Sequence, residues 1–95
     1  MKLKEKLKEE FGYWFFERKI PDFHSLSETF QNALIIEYLD SVGIYIDSGY
    51  YDKNTFCSGI SRKKHVFISV GTDFKTRPEA INAAIEKANE IINKI

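Results

Sequence analysis

Two histidines, His24 and His65, and one cysteine, Cys57, are the side chains best suited to metal or nucleophile chemistry in this chain. Metal ligation needs several donors converging at fixed spacing. His24 and His65 lie far apart, each without a nearby partner of ligand type, so both read as solvated or structurally bonded imidazoles. Cys57 falls in a strand pattern, where cysteine behaves as a small hydrophobe. A nucleophile would need a neighbour that lowers its pKa, and the sequence points to none. Sequence proximity to His65 is the only feature that favours a triad with Cys57 or a serine. Carboxylates are plentiful, yet no pair stands out as acid and base. Gly71-Thr72-Asp73 lacks the pattern of a phosphate-cradling glycine loop. The expectation is a non-enzyme: no catalytic residue, no metal and no cofactor.

The elements that would position any site must fit within 95 residues, which is one domain, 1–95, with no second core. Hydrophobic content of 43% and aromatic content of 15% fit a globular chain with a surplus of Phe and Tyr. A single cysteine excludes an internal disulfide and a cysteine-rich zinc site. No apolar run reaches membrane-spanning length, and residues 1–10 alternate Lys and Glu without the apolar stretch of a secretion signal. A cytoplasmic location is expected. Formal net charge is zero but unevenly placed. Residues 21–58 hold six acids (Asp22, Glu28, Glu37, Asp40, Asp47, Asp52) against Lys53, and residues 59–77 hold five bases (Arg62, Lys63, Lys64, Lys75, Arg77) against Asp73. Such asymmetry can orient a partner or a second copy of the chain, although surface charges also scatter by chance.

Leu3, Leu7, Phe11 and Trp14/Phe15 form a helical stripe, so residues 1–20 are expected to hold an amphipathic helix that Pro21 ends. Tyr13, Trp14, Phe15 and Phe16 are consecutive, and at 100° per residue they point most of the way around that helix. One core cannot cover all four. They are therefore the candidate partner-binding residues, unless this segment is sandwiched between elements.

Ser25-Leu26-Ser27-Glu28 has capping-box spacing, and Leu26, Phe30, Ala33, Leu34, Leu39 and Val42 supply an apolar helical face over 26–41, closed by Gly43. Periodicity then drops to two. Ile44 and Ile46 begin one strand, Thr55–Ile60 is a second with a possible bulge at Gly59, and Val66–Val70 is a third that Gly71 ends. Short connections make these an antiparallel meander. Thr76-Arg77-Pro78-Glu79 is another capping box, and Ile81, Ala84/Ile85, Ala88 and Ile91/Ile92 continue it as a helix over 77–94. Its stripe is core, and its alanines permit close approach to a sheet. The expected fold is α+β: a three-stranded antiparallel meander packed with helices, order α-α-β-β-β-α, with 25–95 as an αβββα core. Tyr45, Tyr51 and Phe67 should share the outward sheet face beside Cys57.

The order helix, three antiparallel strands, helix, and the run from Gly71 to Ala84 with Lys75 and Arg77 before Ala83-Ala84, resemble the double-stranded-RNA-binding domain. That resemblance implies Arg62, Lys63, Lys64, Lys75 and Arg77 as phosphate contacts. The chain departs from the family in having Pro78 and Glu79 at the helix start, an acidic preceding helix and no net positive charge, which disfavours nucleic acid. The stretch Phe74 to Ile85 also resembles the endings of short phage and mobile-element proteins of the "ABA sandwich" kind, over about residues 43–95. That group implies no site residues. The strand followed by Thr-x-x-Glu-Ala and a helix is similar, too, to antitoxins of the partial ribonuclease-H type, which implies a binding role. The expectation is a small protein-interaction module, self-associating, of accessory phage or mobile-element type. A double-stranded-RNA-binding-like or antitoxin-like module is the alternative.

Overall fold

The computed structural model describes residues 3–20, 22–62 and 66–93. Three α-helices and a three-stranded antiparallel sheet follow one another in the order α-α-β-β-β-α. They are α1 (Glu5–Glu17), α2 (Glu28–Ser41), β1 (Ile44–Tyr50), β2 (Phe56–Arg62), β3 (Val66–Phe74) and α3 (Arg77–Asn93), with a 3-10 turn at Phe23–Ser25. The sheet order is β1-β2-β3.

Strand parity decides which side each residue takes. Ile44, Ile46, Ile60, Ile68 and Val70 turn toward the helices, with Ile44 and Ile60 buried. Helix α3 lies across all three strands, and its buried Ala80, Ala84 and Ala88 let its axis approach the sheet closely. Helix α2 packs beside it on β1, while α1 packs on α2 and α3. Leu3, Leu7, Leu39 and Ile85 are sealed between these helices.

The first turn of α1 has no side-chain cap of its own, and Glu5 there takes a left-handed φ of 54°. The missing acceptors come from the far end of the chain. Lys4 N donates to Asn89 Oδ1 at 2.9 Å, Leu7 N to Asn93 Oδ1 at 3.4 Å, and Asn93 Nδ2 to Lys4 O at 3.0 Å. Two asparagines of α3 thus satisfy orphan groups of another helix.

Several details differ from the sequence expectation. Ser25 does not cap α2. Its hydroxyl bonds Asp22 O within the 3-10 turn, and Ser27 accepts from Phe30 N instead. The buried face of α2 is Leu34, Ile35, Tyr38 and Leu39 with Asn32, whereas Phe30 and Val42 are about half exposed. Asn32 holds its place by donating to Asn82 Oδ1 at 2.8 Å. Gly71 does not end β3. The ladder slips at Ser58, which pairs with Gly71, and recovers at Phe56–Phe74. The Phe74 ring lies so close over Gly71 that a Cβ there would be 2.9 Å from it. A bulge thereby carries the strand past the glycine. Gly43, with φ of 83°, closes α2 in the left-handed conformation as expected. In α3, Glu79 N donates to Thr76 Oγ1, but the Glu79 carboxylate reaches back to Lys75 N, one residue earlier than in a capping box.

Candidate interaction surface

All the helices that contact the sheet do so from one side, which leaves the outward face uncovered among the described residues. Along β1 and beyond, parity sets Tyr45, Asp47, Gly49 and Tyr51 outward; β2 contributes Cys57 and Gly59, and β3 contributes Phe67 and Ser69. Tyr45 is 45% exposed, Tyr51 58% and Phe67 64%.

Two glycines shape this face. Gly59 pairs with Asp47 on one side and Ser69 on the other. A Cβ on Gly59 would stand 2.5 Å from Phe67 Cζ and 2.7 Å from Cε2, so the end of the Phe67 ring occupies the space over the bare backbone. Aromatic cover of a glycine in a neighbouring strand restores side-chain contact that the glycine cannot supply. Gly49 has open space above it. Between them lies a shallow hollow of about 390 Å³ walled by Tyr51, Cys57, Phe67 and Asp47. On the helix side, Ser58 Oγ is buried and has no hydrogen-bond partner among the described residues.

The aromatic run of α1 divides. Trp14 and Phe15 are half-buried against the core, where Phe11 is a hub: its ring centroid is 5.8 Å from Trp14, 5.3 Å from Phe23 and 5.6 Å from Tyr38. Arg18 covers the outer side of Trp14, its Cζ 4.2 Å from the ring centroid. Tyr13 and Phe16, one helical turn apart, point outward at 68% and 83% exposure. The sheet and Phe23 had no part in the sequence expectation for this run, yet Phe23 is what shelters Phe15, with centroids 5.5 Å apart.

The candidate bases fall at two ends. Arg62 pairs with Val66 at the start of β3, whereas Lys75 and Arg77 follow its end. The ends of β3 pair with Arg62 and Phe56, six steps apart on β2, which puts about 20 Å between them. Arg77 is drawn onto the Phe56 ring at 5.8 Å. Lys63, Lys64 and His65 lie outside the described residues. Among the described residues no group of three or more His, Cys, Asp or Glu side chains could hold a metal ion, and no helix is long and apolar enough to cross a membrane. His24 is exposed, its ring edge-on to Phe23. No family model, curated protein or solved structure matches this chain.

Proposed function

We propose that this chain is a small non-enzymatic protein-interaction module that self-associates, in keeping with an accessory protein of phage or mobile-element type. The observation behind this reading is the uncovered sheet face, where Tyr45, Tyr51 and Phe67 stand exposed opposite a well-filled core. Large rings gain more from burial than other side chains, and a sheet apolar on both faces calls for cover on both. A second copy of the chain supplies that cover. Tyr13 and Phe16 add a second exposed ring pair on α1.

Sedimentation equilibrium between 10 and 500 μM tests the reading, with loading chosen to span typical weak-dimer affinities, about 10⁻⁵ to 10⁻⁴ M. The expected result is a mass that rises with concentration and a weaker rise in Tyr45→Ser/Phe67→Ser. A wild-type protein that stays monomeric throughout overturns the proposal.

A further inference from the structure

The hollow on the outward sheet face is a gap left by two missing side chains. Gly49 and Gly59 floor it, and a Cβ on Gly49 would meet nothing within 4 Å. Asp47 stands across the ladder from Gly59, and the end of the Phe67 ring reaches over Gly59 from β3. Tyr51 follows Asp47 by four residues on the same face, about 13 Å along the strand direction, with bare Gly49 between them. The β3 side is set by an irregular strand, which carries extra residues on both sides of Gly71. Such bulges re-aim side chains. Here Ser69 and Thr72, three positions apart, both line the hollow and bring hydroxyl groups to it.

Asp47 is the only charged residue lining this hollow among those described. The ion pairs Arg18–Glu37 and Lys87–Glu90 leave it out. A lone carboxylate beside aromatic walls favours a cation and repels an anion. The walls narrow the choice further. A primary ammonium is compact and strongly hydrated, whereas a guanidinium is flat and weakly hydrated. It stacks on rings and pairs with a carboxylate through two parallel N–H bonds. Its other N–H groups can be taken by the Ser69 and Thr72 hydroxyls. The hollow is also shallow, with Tyr51 and Phe67 more than half exposed at its rim. A free small molecule is usually held in a site that buries most of its surface. A shallow hollow in a flat face suits the end of a side chain presented by a larger surface.

We infer that this hollow is a docking site for an arginine side chain of another polypeptide, its guanidinium paired with Asp47 and flanked by Tyr51 and Phe67. The chain's own arginines are engaged elsewhere, which sets a second copy aside as the donor. Arg18 lies on Trp14 and 3.9 Å from Glu37, and Arg77 lies over Phe56. Arg62 is half-buried in a crevice that Leu7 and Glu10 also line. The inference goes beyond self-association and does not rest on it. Both use Tyr51 and Phe67, so an arginine-bearing partner and a second copy compete for this face.

The test titrates the full chain with a capped pentapeptide carrying one central arginine among glycines, read by amide chemical shifts. Saturable shifts should centre on Gly49, Cys57 and Gly59, and the matching lysine peptide should bind roughly threefold more weakly. Asp47→Asn should weaken binding by roughly fivefold and Phe67→Leu by roughly threefold. Asp52→Asn, which removes an acid outside the hollow, should leave binding unchanged. Absence of saturable shifts overturns the inference, as does equal binding of the two peptides. Equal losses in Asp47→Asn and Asp52→Asn would also sink it, since any acidic surface attracts a cation. Methylguanidinium that binds as tightly as the arginine peptide would make the occupant a free molecule and overturn the polypeptide source. Weaker self-association in Asp47→Asn would give the hollow to a second copy, again against the inference. Sedimentation of the wild type without peptide decides self-association separately.

Discussion

The hydroxyl of Tyr38 on α2 donates to Glu10 Oε2 on α1 across 3.2 Å. Its ring is 3% exposed and meets Phe11 and Trp14 edge to face. The phenol thus ties the first two helices together at the edge of the aromatic cluster, with its polar tip anchored by a carboxylate at the rim.

Burial, then the adjacent Glu10 charge and the hydrogen bond to it, push the Tyr38 hydroxyl up to about 12. In the unfolded chain a tyrosine ionises near 10. The folded state therefore holds the proton more tightly, and the resulting stability is present in full below pH 10. It begins to be lost above pH 10 and is gone once pH has risen through 12. Urea titrations at pH 9 and pH 11.5 should show this loss in the wild type, and Tyr38→Phe should abolish the Tyr38 share of it.

Asn93 bridges Lys4 O and Leu7 N; truncating it orphans Leu7 N at the start of α1, while Lys4 O keeps its bond from Lys8 N. Asn93→Ala should cost about 1 to 2 kcal/mol, in the range of a lost helix cap. Faster amide exchange at Leu7, with β2 unchanged, would identify local fraying as the cause. Equal acceleration throughout the sheet would count against it.

Replacing Gly59 tests the ring that lies on it. A Cβ at 2.5 Å from Phe67 Cζ and 3.2 Å from Ile68 O obliges the exposed ring to swing away and the neighbouring backbone to give slightly. Gly59→Ala should destabilise by about 1 kcal/mol, within the usual range for point substitutions. The ring signals of Phe67 in an NMR spectrum should shift more than those of Phe11.

The four successive rings of α1 should separate into two classes. Trp14→Ala removes contacts with Phe11 and Tyr38 and should cost roughly 2 to 3 kcal/mol, somewhat below a fully buried aromatic. Phe16→Ala, at an 83% exposed position, should stay within about 0.5 kcal/mol. Thermal melts of the two variants decide this. Equal losses would mean that Phe16 is sheltered in solution.

Local patterns exposed much of this architecture. Period-two alternation placed Tyr45, Tyr51 and Phe67 on one face beside Cys57, and the structure has them there. The Ala84-Ile85-Ala88 stripe made the last helix a core element, as observed. What escaped depends on residues distant in the chain. The passage of β3 beyond Gly71 needs the Phe74 ring and its partner Phe56. Helix α2 starts later than its first serine suggested, because Ser25 is engaged with Asp22. The division of Tyr13–Phe16 hangs on Phe23 and Tyr38, which arrive from other elements. The asparagine contacts join positions at opposite ends of the sequence, which no periodicity reveals.

Because Asn93 grips Lys4, the polypeptide between them is already a nearly closed ring, and the point at which it starts can be moved. A circular permutant that links residue 93 to residue 3 by a short glycine-serine tether, and opens instead at the exposed Asp52–Asn54 turn, would keep the core side chains, Leu3 included. New termini would then lie beside the hollow of the uncovered face, within reach for attaching a fluorophore or a tethered ligand.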